Sequence, residues 1–130
     1  MSLKKHRGAK LERYKGPIFP SILKQLRQTY KDTNTNNGSK LEDIGKKVGG
    51  YIEMTRPKTS DGYWWFWALH FRRDRGKVVI LFPWAQDWDK ADGDGGDRSI
   101  AVYTKGLVSP KTVKSLIQDL VDAMQELRKQ

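Results

Sequence analysis

Cysteine is absent from this 130-residue chain, which excludes disulfide bonds, thiolate metal sites and cysteine nucleophiles. Long apolar runs are also absent, and no stretch approaches the roughly 20 residues that a membrane-spanning helix needs. The opening segment, MSLKKHRGAKLERYKG, lacks the apolar core that is typical of a signal peptide. Because a chain without disulfides fits a reducing compartment, we expect a cytoplasmic protein.

The sequence motifs of common enzyme classes are missing as well. The glycines form neither of the phosphate-binding patterns G-x-x-x-x-G-K-[ST] and G-x-G-x-x-G. Only two histidines occur, His6 and His70. His70 falls within an aromatic strand, where a structural or stacking role is expected rather than that of a general base. We therefore predict no catalytic residues, no bound metal and no cofactor.

Acidic residues are few relative to basic ones. The chain has 25 Lys and Arg against 15 Asp and Glu, a formal charge of +10, and its pI is near 9.9. Five of the acids lie together in residues 87–97, so the rest of the chain is more basic than the total suggests. Such a field attracts polyanions, and nucleic acid is the first candidate partner, before acidic membranes or acidic proteins.

Hydrophobic periodicity indicates the organisation of the chain. Residues 1–16 lack it and predict a basic flexible arm, whereas residues 17–130 predict a single α+β domain. Apolar spacings of three and four predict helices over residues 21–31, 39–48 and 109–129. Period-two alternation predicts four strands, over residues 51–56, 63–71, 77–84 and 98–105. The connecting loops are too short for helical crossovers, so we expect an antiparallel sheet.

The stretch 62–71, GYWWFWALHF, is apolar on both faces of the strand that it predicts. If residues 72–76 close a hairpin with Phe71 opposite Val78, and with Gly76 at positive φ, the side chains divide between two faces. One face then carries Tyr63, Trp65, Trp67, Leu69, Phe71, Val78, Ile80, Phe82 and Trp84. The opposite face carries Trp64, Phe66, Ala68, His70, Val79 and Leu81.

The long C-terminal helix is expected to cover one of these faces, and three covers are open for the other. The two N-terminal helices would make a three-layer domain, since buried aromatic residues usually belong to a core. A second subunit is another cover, because large exposed apolar patches mark interfaces. Unstacked bases are the third, because aromatic residues beside Lys and Arg hold single strands without reading their sequence.

These observations predict a small basic module that binds single-stranded DNA or RNA with low sequence specificity. Its binding surface would combine the arm, the charged hairpin, the second aromatic face and the first turn of the long helix, where lysines and helix amides suit a phosphate. The candidate residues are Lys4, Lys5, Arg7, Lys10, Arg13, Arg56, Lys58, Trp64, Phe66, His70, Arg72, Arg73, Arg75, Lys77, Lys111 and Lys114.

The order of four antiparallel strands and a long helix, with Gly76-Lys77-Val78 in the second hairpin, resembles the Whirly and coactivator-type single-stranded-DNA-binding domains. The resemblance covers residues 63–128, and it implies that the sheet binds single strands. It rests on element order and a few residues, and no family is assigned from it.

Two other functions fit the sequence. One is an assembly component, of a phage or another mobile element, that uses the aromatic face as a subunit interface and forms a homo-oligomer. The other is a metal-dependent, nuclease-like enzyme in which Glu53 and the aspartates of residues 85–97 bind Ca²⁺ or Mg²⁺. The segment DWDKADGDGGD does not follow the EF-hand spacing, and we expect a soluble, flexible connection there rather than a cation site.

Overall fold

The computed structural model describes residues 11–14, 16, 19–32, 38–59, 62–63, 65–83 and 100–128. Within them are three helices: α1 (Phe19–Asp32), α2 (Gly38–Lys47) and α3 (Pro110–Arg128). The strands are β1 (Glu12–Arg13), β2 (Tyr51–Thr55), β3 (Lys58–Thr59), β4 (Gly62–Tyr63), β5 (Phe66–Arg73), β6 (Arg75–Pro83) and β7 (Ala101–Leu107). The α+β class and the long C-terminal helix are confirmed.

The main sheet is antiparallel throughout and has the strand order β1-β7-β6-β5-β2. Strands β3 and β4 pair with each other in a separate small sheet. The four predicted strands correspond to β2, β5, β6 and β7, so β1 is an additional member of the main sheet. It lies near the end of the segment predicted to be a flexible arm, whose residues 1–10 fall outside the described part of the chain.

The predicted register of the central hairpin is confirmed. Phe71 pairs with Val78, and the ladder continues through Leu69 with Ile80 and Trp67 with Phe82. Of the last predicted pair, Trp65 and Trp84, the second lies outside the described residues. Because side chains alternate between faces along a strand, this register decides which residues of β5 and β6 meet the helices.

The turn between β5 and β6 differs from the prediction in which residue takes a positive φ. That residue is Asp74, with φ 53°, and not Gly76. Asp tolerates this left-handed conformation better than most residues with a side chain. Gly76 has a different requirement, because a Cβ at that position would lie 2.2 Å from the carbonyl oxygen of Lys105 on β7. Glycine there allows the close approach of β6 and β7.

All three helices contribute to one core on a single face of the sheet, so the N-terminal helices are not the cover of the second aromatic face, and the three-layer alternative is excluded for the described residues. Apolar residues of α1 and α2, such as Leu26 and Ile44, belong to the same buried cluster as Leu120 of α3 and Ile80 of β6. Tyr30 of α1 packs on Phe82 with ring centroids 5.0 Å apart. The apolar stripes of the helices therefore cover one another and the sheet together, which gives two layers.

The sheet face turned away from this core, here called the distal face, carries the second predicted set of β5 and β6 residues. At its centre Phe66, Ala68 and Val79 are buried, with Phe66 2% exposed. They are separate from the buried cluster under the helices. No helix of the described ranges packs on this face.

We expect Leu120→Ala to lower the free energy of unfolding by about 2–5 kcal/mol, because it removes a fully buried side chain from the shared core. The matched control is Ser115→Ala, on the exposed side of the same helix, which should change it by less than about 0.5 kcal/mol. Urea unfolding followed by circular dichroism measures both values. Equal effects of the two substitutions would contradict the shared core.

Candidate nucleic-acid interface

Three cationic residues lie side by side across the hairpin end of the distal face. Arg72 of β5 pairs with Lys77 of β6, and Lys77 pairs in turn with Lys105 of β7. We call these three residues the cation row. Among the described residues none of the three forms an ion pair with a carboxylate. Together with Tyr51 and Arg75 they line a cavity of about 390 Å³.

The carboxylate of Asp74 lines the same cavity but is already engaged elsewhere. Its Oδ2 accepts hydrogen bonds from the Ser109 amide at 3.1 Å and from the Thr112 hydroxyl at 2.8 Å. These bonds hold the pKa of Asp74 below its ordinary value, the bond from the Ser109 amide having the largest effect. Asp74 therefore joins the hairpin to the start of α3, and among the described residues it forms no ion pair with the cation row.

A second row, here called the tyrosine row, crosses the distal face beside the cations. It runs through Tyr51, His70, Val79 and Tyr103, one residue on each of β2, β5, β6 and β7. The rings of Tyr51 and His70 stack with an interplanar angle of 5° and a centroid separation of 4.7 Å. Tyr51 is nevertheless 56% exposed. The Nζ of Lys77 lies 6.0 Å from the centroid of the same ring.

His70 is held beneath Tyr51 and is only 8% exposed. Glu53 places a carboxylate oxygen 2.8 Å from its Nε2, although neither ring nitrogen meets the geometry of a hydrogen bond. Burial lowers the pKa of His70 and the Lys77 ammonium lowers it further, whereas Glu53 opposes both effects. The net lowering of the pKa favours a neutral imidazole, which suits the parallel stack on Tyr51.

The four predicted cations of the hairpin do not share one surface. Arg72, Arg75 and Lys77 line the cavity. Arg73 lies on the opposite side of the sheet, 5.3 Å from the centroid of Phe71, and donates hydrogen bonds to the carbonyls of Val48 and Arg72. Its guanidinium thus ties the end of α2 to the sheet, which assigns it a structural contact.

The other predicted cations are spread over the molecule. Arg13 pairs with Tyr103 at the edge of the distal face, and Arg56 packs 5.3 Å from the ring centroid of Trp65. Lys111 and Lys114 are exposed on the first turns of α3. Of the rest, Lys58 lies in the short strand β3, and its side chain is outside the described part; also outside it are Lys4, Lys5, Arg7 and Lys10.

Two of the amides at the predicted phosphate site, at the start of α3, are already bonded. The Thr112 amide donates to the Ser109 hydroxyl at 3.1 Å, which makes Ser109 the N-cap. The Val113 amide donates to the Ser109 carbonyl, also at 3.1 Å. With the Asp74 carboxylate beside them, these groups leave Lys111 and Lys114 as exposed charges and not as part of an amide cradle.

The predicted aromatic surface is also different from the observed one. Phe66 and His70 lie on the distal face as expected, but both are buried and neither presents an open ring. Trp64 falls outside the described residues. The exposed aromatic residue beside the cations is Tyr51, which the sequence analysis missed together with Lys105. The two could have been found from the alternation of β2 and β7, had the pairing partner of each strand been known.

The described residues contain no group of three or more His, Asp or Glu side chains arranged to hold a metal ion. The aspartates of residues 85–97 fall outside this part of the chain, and the predicted cation site there stays a prediction. None of the helices in the described ranges is both long enough and apolar enough to cross a membrane.

Comparison of the chain with protein-family models, with curated proteins and with solved structures found no match.

We expect His70→Gln to reduce the loss of stability that accompanies mild acidification. Folding lowers the pKa of His70. Its contribution to stability is therefore fully present above the pKa of the unfolded chain, near 6.5, and is lost as the pH falls through the pKa of the folded protein. Melting temperatures measured between pH 7 and pH 5 should fall less steeply for His70→Gln than for the wild type. His6 is present in both proteins and does not affect the difference between their two pH profiles. Parallel pH profiles would contradict the buried, neutral state of His70.

We expect Asp74→Asn to lower the melting temperature at neutral pH, because it weakens the bonds to Ser109 and Thr112. Asn tolerates the positive φ at this position, so the substitution removes the charge without straining the turn. Asp74 contributes to the free energy of unfolding at pH values above its unfolded pKa of about 3.9. This contribution is lost as the pH falls through the lower pKa that Asp74 has in the folded protein. The two proteins should therefore converge in acid. The control is Asp119→Asn on the exposed side of α3, and an equal loss of stability there would contradict the assignment.

Proposed function

We propose that this protein binds single-stranded DNA or RNA with low sequence specificity, and that the cation row is the centre of its binding surface. The observation that carries the proposal is the juxtaposition of Arg72, Lys77 and Lys105 with an exposed aromatic ring and without a carboxylate partner among the described residues.

Such a cluster is unfavourable for the isolated protein. Like charges directly opposite each other on neighbouring strands destabilise a sheet, and here two such pairs share Lys77. A negatively charged ligand relieves this repulsion. If the ligand is a nucleic acid, the counterions bound to its phosphates are also released when the cations neutralise those phosphates. The formal charge of +10 strengthens the attraction over longer distances.

The neighbourhood of the row favours a single strand over a duplex. Cationic side chains contact phosphates without reading sequence, and an exposed aromatic ring offers stacking to any base that is not already paired and stacked. The helices of the described residues pack on the other face of the sheet, so none of them is placed to enter a duplex groove beside the cation row. Both features support low sequence specificity.

We expect the triple variant Arg72→Gln, Lys77→Gln, Lys105→Gln to bind a labelled oligothymidylate or oligouridylate more weakly at low salt. For single strands the logarithm of affinity falls with the logarithm of salt by about 0.7 for each neutralised phosphate. Removing three contacts should therefore reduce the steepness of that slope by about 2. Fluorescence anisotropy between about 50 and 200 mM salt measures both effects.

The matched control is Lys24→Gln, Lys46→Gln, Lys47→Gln, which removes the same charge from exposed positions on α1 and α2. It should retain most of the affinity and nearly the full slope. Equal losses in the two triple variants would show that net charge alone attracts the strand. Salt-insensitive binding, or no binding by the wild type, would overturn the proposed function.

A second candidate function is that of an assembly component, and one observation favours it. Strand β2 is at an edge of the main sheet, and the large apolar side chains Met54 and Trp65 are exposed at or next to it. An unpaired edge with exposed apolar residues is a template for pairing with another chain. A stable oligomer in light scattering, dissociated by Met54→Lys, together with no affinity for nucleic acid, would select this function over the first.

A further inference from the structure

We propose that Tyr51 and the cation row form a subsite for one nucleotide of a single strand, with the base stacked on the Tyr51 ring and the adjoining phosphate held by Arg72, Lys77 and Lys105. This inference deepens the proposed function and rests on it. Charge alone would not tell where on this surface the base and the phosphate of the nucleotide lie, whereas Tyr51 gives the base a defined position.

The stack on His70 prepares Tyr51 for this role. A ring has two faces, and His70 covers one of them in a nearly parallel contact. Since Tyr51 remains 56% exposed, the stack leaves more than half of the residue accessible to solvent. His70 itself is buried and therefore gives the stack a fixed base. A ring already held in its binding orientation loses little conformational freedom when a ligand arrives, which favours affinity.

The spacing between the two rows fits a nucleotide. On β5, β6 and β7 the cation row lies two residues from the tyrosine row, which corresponds to about 7 Å, and Tyr51 lies one strand beyond Arg72, on β2. This separation is comparable to that between the phosphate and the base of one nucleotide. Lys77 is within reach of both positions, because its Nζ lies 6.0 Å from the Tyr51 ring centroid.

The charges around Tyr51 give the subsite a direction. Glu53 lies two residues along β2 from Tyr51, on the side away from the cation row, and its side chain is 58% exposed. A phosphate is therefore attracted on one side of the ring and repelled on the other. The bound base must be unpaired to lie flat on Tyr51, so the ligand class is a single-stranded nucleotide unit and not a base pair.

The test separates base stacking from phosphate binding. Tyr51→Leu is measured by anisotropy against a labelled oligothymidylate and against an abasic oligomer of the same length and charge. We expect a roughly 5- to 150-fold loss of affinity for the base-bearing oligomer, which is the effect of losing one stacked base. Affinity for the abasic oligomer should stay unchanged.

Two further variants distinguish the loss of stacking from a folding defect. Tyr51→Phe keeps the ring and should bind both oligomers as the wild type does, and Tyr51→Trp should bind the base-bearing oligomer at least as tightly because it enlarges the stacking surface. Thermal unfolding of each variant reports whether the sheet edge is intact.

The outcomes distinguish the subsite from the broader function. If Tyr51→Leu binds both oligomers as the wild type does, or if it loses affinity for both equally, the nucleotide subsite is wrong while single-strand binding stands. If Tyr51→Trp lowers the affinity for the base-bearing oligomer only, the stacking geometry is wrong. If the wild type binds neither oligomer, the proposed function fails, and the subsite fails with it.

Discussion

The pairing of β5 with β6 is the constraint on which the other features depend. With Phe71 opposite Val78, one set of alternate side chains enters the helical core and the next set reaches the distal face. A slip of one residue would exchange the two sets and would place Arg72 against the helices. The buried apolar residues thus fix the position of the cation row, because the same strands carry both.

The ends of this hairpin are held by polar contacts that reinforce the register. Asp74 accepts bonds from the first residues of α3, and Arg73 donates to the last turn of α2. Each contact joins the hairpin to a helix that the core already positions. The cation row lies on the same hairpin and on the neighbouring strand β7, so its backbone is supported by a core in which its own side chains take no part.

The sequence was sufficient for the three helices, the strands β2, β5, β6 and β7, the antiparallel sheet and the central register, since all of these follow from local periodicity and short connections. It was insufficient for the placement of α1 and α2, because an apolar stripe does not tell which of two apolar faces it will cover. It also missed Tyr51 and Lys105, whose position beside Lys77 depends on the pairing of distant strands. Arg73 was misassigned because adjacent residues of a strand face opposite sides.

The short strand β1 has a consequence for the ten residues that precede Leu11. Because β1 runs antiparallel to β7 with Glu12 opposite Thr104, the chain enters β1 from the side of Lys105. Four basic residues at positions 4–10 are thereby attached within at most about 35 Å of the cation row. When a single strand is bound at the cation row as proposed, a contact between that strand and the basic residues at positions 4–10 is intramolecular. The strength of this added contact depends on the length of chain that joins these residues to β1, and not on protein concentration.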